Sequence, residues 1–366
     1  MNFTQNYLTM NKIHNYSAGP CILPSEVFNE AAQSVINYNN SNLSLIEMSH
    51  RSGEFVEVME EARNLVRELL NVSDDYEVLF LQGGASLGFL MSAYNMMRTN
   101  KNGGYLVTGA WAKKAAKEAN FMGKSTIVAS SEDKNFNYIP KDFSLGSDLD
   151  YFHVTSNNTI FGTQIKEFHN SSVPLVCDMS SDIFSREIDV NKFDLIYAGA
   201  QKNMGPAGTT LYIIKKDILG ASSVNIPTML DFKTHSDKDS MFNTPPVFAI
   251  YTSMLTLRWL KKYGGVKAIE ATNNAKAALL YNEIERNSLF EATANAEDRS
   301  NMNATFILKN EALKTEFDNA LVAANINGLK GHRSVGGYRA SMYNALPIES
   351  VQVLVEVMKQ IEKKSA

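Results

Sequence analysis

Phe193-Asp194-Leu195-Ile196-Tyr197-Ala198-Gly199-Ala200-Gln201-Lys202-Asn203 joins an apolar run to a single lysine through small residues. The run 195–198 has the length and composition of a buried strand, and a second apolar run, 209–214, lies soon after. A lysine placed straight after a buried strand is not easily a solvated surface charge. Burial disfavours its ammonium and lowers its pKa, which is what an amine needs to attack an aldehyde and form a Schiff base. The alternative is a lysine that snorkels to the surface from a strand end.

Working outward, strand-like runs alternate with helical ones. Runs at 76–81, 105–108, 126–129, 151–155 and 175–177 read as strands, with helices expected at 54–70, 86–97 and 111–121. A further helix is expected over 25–38, capped by Ser25, with Val27, Ala31, Val35 and Tyr38 on its buried stripe. This alternation predicts an α/β fold on a mostly parallel sheet flanked by helices. After Pro245-Pro246 a long helix, 248–263, ends at Gly264-Gly265. Beyond it come another long helix, a strand at 304–308, a helix near 313–324, a strand near 339–343 and a closing helix from 348. The expected division is a large domain, 25–263, and a smaller α+β C-terminal domain, 264–366, with residues 1–24 packing near the latter.

Composition narrows the function. A chain of 366 residues with 44% hydrophobic and 20% charged residues can bury a sizeable core. A net charge of −4 argues against a dedicated nucleic-acid binder. No apolar run could span a membrane and the start lacks a signal-peptide core, so a cytoplasmic protein is expected. Met10 is a candidate second start. Only Cys21 and Cys177 occur, with no disulfide framework or metal-ligand spacing. Cys177 reads as a core residue and Cys21 as merely near the N-terminus, so no mobile thiol is expected beside a substrate.

In α/β sheets, ligands bind at the carboxyl ends of strands. Those ends carry Gln82-Gly83-Gly84-Ala85-Ser86, Thr108-Gly109-Ala110-Trp111, Ser156-Asn157-Asn158-Thr159, Asp178 and Lys202. Helix-start N–H groups and the Ser86 hydroxyl suit a phosphate, although a plain tight turn has the same sequence. Trp111 can stack on a flat ring or anchor the core. Asp178 leaves an apolar strand and needs a partner, or else caps the next turn of chain. Asp178 and Lys202 together suggest pyridoxal phosphate. The lysine would hold its aldehyde and the aspartate would keep its ring nitrogen protonated. Two His-Arg pairs, His50-Arg51 and His332-Arg333, and then Arg339 suit a substrate with more than one negative group.

Seven stretches, in order along the chain, give this a family resemblance: Asn15-Tyr16-Ser17-Ala18-Gly19-Pro20, Ser49-His50-Arg51-Ser52, Leu81 to Ser86, Thr108 to Trp111, Ser156 to Ile160, Gly199 to Asn203 and Gly331-His332-Arg333-Ser334-Val335-Gly336-Gly337-Tyr338-Arg339-Ala340-Ser341. The chain resembles the phosphoserine aminotransferases, fold-type-I pyridoxal-phosphate (PLP) enzymes of the class-V aminotransferase group. The resemblance implies that Lys202 is the Schiff-base lysine and Asp178 the partner of the pyridine nitrogen. It implies that Trp111 stacks on the cofactor ring and that Ala85, Ser86, Thr159 and Gln201 touch the cofactor. Asn243 and Thr244 would reach the phosphate of the neighbouring subunit's cofactor in a homodimer. Arg339 would bind the substrate α-carboxylate, and His50, Arg51, His332 and Arg333 its distal phosphate or carboxylate. Some family members carry Arg in place of Ser86. Others carry Glu in place of Asn158, a neutral change if only the backbone acts there. The implied reaction moves an amino group from glutamate to 3-phosphohydroxypyruvate, giving 3-phosphoserine and 2-oxoglutarate in serine biosynthesis. The phosphorylated four-carbon keto acid of vitamin B6 synthesis is a second candidate substrate. The rivals are an alanine/glyoxylate-type class-V reaction and a non-enzymatic anion-binding protein.

Overall fold

The computed structural model describes residues 13–333 and 335–365. Met10 and the segment around it, and Ser334 in the Gly331 loop, lie outside the described residues. In chain order the first half holds β1 (His14–Asn15), α1 (Ser25–Ile36), α2 (Gly53–Leu70), β2 (Tyr76–Leu81), α3 (Gly84–Met96), β3 (Asn102–Val107), α4 (Ala110–Ala119), β4 (Lys124–Ser130), β5 (Tyr151–Thr155) and β6 (Leu175–Asp178). The second half holds β7 (Leu195–Gly199), β8 (Thr210–Lys215), α5 (Phe232–Ser236), α6 (Val247–Tyr263), α7 (Gly265–Arg286), β9 (Phe290–Ala292), β10 (Asn303–Leu308), α8 (Lys314–Ala323), β11 (Ile326–Asn327), β12 (Tyr338–Ser341) and α9 (Ile348–Ser365).

Seven strands form the central sheet in the order β2-β8-β7-β6-β5-β3-β4. β8 runs antiparallel to both its neighbours, and the other pairings are parallel. Alternation along each strand feeds two cores. Leu195 and Tyr197 pack with residues of α3 and α4, while Ile196 and Ala198 pack with α2 and α6. Helices cover both faces, which is why the strands read as continuous apolar runs. The register sets Thr155 beside Asp178 and Asp178 beside Tyr197, all on one face. The fold is the mostly parallel α/β sheet that the alternation predicts.

A further core lies in the C-terminal part, built from Tyr16, the second half of α7, and residues of β10, β12 and α9. Here β10 pairs antiparallel with β9 and with β12. The start of the described chain joins this part: β1 pairs with β11, and the Tyr16 hydroxyl donates to the Ser350 carbonyl at 2.7 Å. No helix of the described residues is long and apolar enough to cross a membrane.

Two local expectations fail at α1. Pro24, with extended backbone, precedes the helix, and the Ser25 side chain makes no cap. The buried stripe is Val27, Ala31 and Ser34, whereas Val35 is 37% exposed. Asn37 is extended and ends the helix, so Tyr38 lies beyond it, buried edge-on against Tyr251. The expected stripe presumed a helix that continues past Asn37.

Candidate active site

The chain after β5, β6 and β7 meets at Lys202, and the loop after β3 joins it through Thr108 and Asn158. Its Nζ donates to Thr159 Oγ1 at 2.8 Å. Burial pushes the amine down to about 8, with the Asp178 charge pulling the other way. Asp178 is 4% exposed at the end of β6. Its Oδ1 accepts from the Ser180 N–H at 2.9 Å and the Ser180 hydroxyl at 2.6 Å. Ser180 Oγ in turn accepts the Gly199 N–H at 3.1 Å, tying the end of β6 to the end of β7. Burial raises the Asp178 carboxyl above the usual range, and the Ser180 bonds and the Lys202 charge oppose the rise. Among the described residues nothing bonds to Oδ2.

The other expected groups stand on the following elements. Arg339 Nη1, on β12, donates to the Thr159 carbonyl at 3.3 Å, and its buried Nε has no partner among the described residues. His332 lies in the field of Arg339, Arg333 and Lys114. Desolvation first, and then those cations, holds its imidazole below the ordinary histidine range. Trp111 stands in the first turn of α4, half-buried, with the Lys114 ammonium 4.4 Å from its ring centroid. Its buried Nε1 has no partner among the described residues. Ala85 and Ser86 lie in the first turn of α3, behind Gly83 at φ 103° and Gly84 at φ 63°. That left-handed pair turns the strand end sharply into a helix start with free N–H groups. Gln201 is half-buried, and its carbonyl accepts the Cys21 N–H at 3.2 Å.

Four expected residues are not drawn into the cluster of their own chain. His50 is buried in the loop before α2, its Nε2 without a partner among the described residues, and Arg51 is exposed. No hydrogen bond or ion pair among the described residues ties either to Lys202 or Arg339. Asn243 and Thr244 are exposed ahead of α6, where the Thr244 carbonyl accepts from Gln82 Nε2 at 2.7 Å.

At two residues the structure adds to the sequence reading. Cys21 is distant from Lys202 in sequence but adjacent in space, and its thiol donates to the Lys202 carbonyl at 2.5 Å. Burial pushes that thiol up to about 12, so it is a fixed donor rather than a nucleophile. The Asn158 side chain is engaged as well as its backbone, for Nδ2 donates to Thr108 Oγ1 at 3.1 Å and Thr163 Oγ1 at 3.0 Å. A carboxylate there would lose both donors. Sequence reasoning also missed Ser180 and Gly19, where an added Cβ would sit 3.2 Å from Lys202 Cγ. The Asp-x-Ser spacing, an Asx-type turn, was the available signal for Ser180.

The comparisons with known proteins agree with this geometry. A family model described as aminotransferase class-V matches residues 13–354. A curated phosphoserine aminotransferase from Flavobacterium psychrophilum is 64% identical, covering 96% of this chain and 99% of its own. The solved phosphoserine aminotransferase from Bacillus circulans subsp. alkalophilus superposes with a TM-score of 0.94 at 42% identity, covering 97% of this chain and 99% of that one. A PLP-bound phosphoserine aminotransferase from Trichomonas vaginalis gives 0.91 at 37% identity, over 95% and 100%. With its own sheet, strand-end lysine and aspartate laid out as above, the chain belongs to the class-V aminotransferase family, among the phosphoserine aminotransferases.

Proposed function

We propose that the protein moves the amino group of L-glutamate to 3-phosphohydroxypyruvate, giving 3-phosphoserine and 2-oxoglutarate, with pyridoxal phosphate as cofactor. The observation that carries this is the Lys202 amine, bonded to Thr159 and facing the charge of a buried Asp178 at converging strand ends. The residues fit that cofactor. Asp178 Oδ2 has no partner among the described residues, Trp111 can cover a flat ring, and the start of α3 offers N–H groups to a phosphate. Bound there, pyridoxal phosphate supplies an aldehyde for the amino group and a ring that takes up the electron pair left at the substrate Cα.

The chain's own residues do the rest. Asp178 holds a proton on the ring nitrogen. Lys202 would hold the cofactor aldehyde and, as a free amine, would move a proton at the substrate Cα; its lowered pKa keeps that free amine populated near neutral pH. Thr159 orients that amine and Gln201 lies beside it. Ala85 and Ser86 would hold the cofactor phosphate. Arg339 grips the α-carboxylate of both amino acids, and His332 and Arg333 take the distal group. His50 and Arg51 belong to the same distal pocket, and Asn243 and Thr244 to the phosphate site. Arg51, Asn243 and Thr244 are exposed, and no bond among the described residues joins His50 or Arg51 to Lys202 or Arg339, which supports a homodimer in which each copy lends them to the other. The separate C-terminal core supports a division near Gly264, with 264–366 as the smaller domain carrying Arg339.

The test is the spectrum and the half-reactions of the purified protein. A visible absorption band that L-glutamate removes and 3-phosphohydroxypyruvate restores is the expected result. A protein that stays colourless with added pyridoxal phosphate overturns the proposal. Turnover of alanine with glyoxylate, and none with phosphoserine, hands it to the alanine/glyoxylate rival.

A further inference from the structure

Lys276, on α7, is 0% exposed. Its Nζ donates to three carbonyls, those of Met342 at 3.0 Å, Tyr343 at 2.8 Å and Leu346 at 3.1 Å. Three acceptors take three N–H groups, which only the ammonium has. Burial works against that charge and pushes the amine down to about 7. No carboxylate pairs with it among the described residues. A buried charge held only by carbonyls is a costly way to anchor a turn, and an apolar side chain would fill the space more cheaply.

The turn it anchors comes after β12, the strand that carries Arg339, and it reaches Lys202 from two sides. On one side, the Asn344 N–H donates to Asn203 Oδ1 at 2.9 Å, and Asn203 is the residue after Lys202. Asn344 is itself held by Asn273 Nδ2 at 2.9 Å, one turn before Lys276, and donates to the Phe184 carbonyl at 2.9 Å. On the other side, the Tyr343 hydroxyl donates to the Ala18 carbonyl at 2.7 Å and accepts from Asn303 Nδ2 at 3.3 Å. Ala18 precedes Gly19, which lies against the Lys202 stem.

We propose that Lys276 is a positioning residue. By fixing the turn 342–346 it sets, through Asn344–Asn203 and Tyr343–Ala18, where the Lys202 amine stands relative to Arg339. The inference rests on the transamination reading, in which Lys202 carries the cofactor and Arg339 the α-carboxylate.

Lys276→Met keeps the stem and removes the ammonium, and Tyr343→Phe removes only one hydroxyl. Three readouts are taken on the wild type and both variants as cofactor-loaded protein: the pH midpoint of the visible band, kcat and KM for glutamate, and amide hydrogen exchange over residues 199–205. In Lys276→Met we expect kcat to fall roughly tenfold to a hundredfold with a smaller change in KM, as a sub-ångström to ångström displacement of a reacting group produces. The midpoint should move up as water reaches Lys202, and exchange over 199–205 should quicken. Tyr343→Phe should move all three the same way by less. A lower melting temperature with midpoint, kcat and exchange unchanged would make Lys276 a structural anchor only and overturn the proposal. If Lys276→Met does not fold, Tyr343→Phe decides: a shifted midpoint and kcat support the proposal, and unchanged values sink it. A wild-type protein with no visible band and no transamination would instead refute the functional reading.

Discussion

At the Lys202 amine, burial and the Asp178 carboxylate pull in opposite directions, and burial wins. The pKa is depressed, so the neutral, nucleophilic form is lost as pH falls through about 8. The rate at which cofactor-free protein captures pyridoxal phosphate should therefore rise with pH and level off above about 8. An ordinary lysine would place that midpoint near 10.4, and a midpoint there in stopped-flow absorbance would contradict the burial argument. Lys202→Ala should abolish turnover yet leave a folded protein that still holds the cofactor without a covalent bond. Asp178→Asn presents an amide that cannot keep the ring nitrogen protonated. Single-turnover glutamate deamination should slow by on the order of a hundredfold, the usual cost of one lost electrostatic contact in a reacting site. An unchanged rate would reduce Asp178 to a cap for Ser180. These strand-end residues were legible in the sequence because an apolar run ending in a lone polar residue is a local pattern. Cys21, Gly19 and Tyr343 were not, because each reaches Lys202 or its neighbours across a long stretch of chain and only the folded molecule brings them together.

Among the elements, α3 packs closely on the sheet. An added Cβ on Gly88 would lie 2.8 Å from the ring of Tyr197, whose hydroxyl is bonded to the buried His153 at 2.7 Å. The ring cannot step aside without breaking that bond. Gly88→Ala should thus cost about 1–3 kcal/mol by overpacking and tilt the helix whose start is proposed to hold the cofactor phosphate. Thermal melting and cofactor affinity should both drop, and a fall in melting temperature alone would detach α3 from the phosphate site. The long elements were readable from sequence because each covers several turns or a full buried strand. The two-residue β1 and β11 and the three-residue β9 were not, for so short a stretch carries no period. At α1, Val35 and Tyr38 extended the apparent stripe past the point where Asn37 turns the chain.

The molecule as a whole is expected to work as a pair. A mixed dimer of Lys202→Ala and Asn243→Ala/Thr244→Ala chains places both defects in one site and neither in the other. Its activity should approach half that of the wild type, and activity no better than either parent would contradict the shared site. The same pairing with Arg51→Ala tests whether the distal pocket is shared too. Within that pocket a carboxylate carries one charge and a phosphate between one and two. Arg333→Ala and Arg51→Ala should therefore weaken phosphoserine more than glutamate, by about 2–3 kcal/mol in kcat/KM for phosphoserine. Arg339→Ala should penalise both equally. Loss of glutamate turnover with phosphoserine spared would remove these arginines from the phosphate site.

The bond from Tyr16 to Ser350 has a consequence for the newborn chain. The ribosome releases residues 14–16 long before residues 326–327 and 350, on which they dock. At roughly 5–20 residues per second the central sheet can assemble, and Cys21 can already bond to Gln201 and Lys202, while Tyr16 still waits for Ser350. Chains cut short before Ser350 should fold their large sheet with Cys21 in place and Tyr16 undocked, so the segment between them tethers the sheet to a half that has not yet arrived.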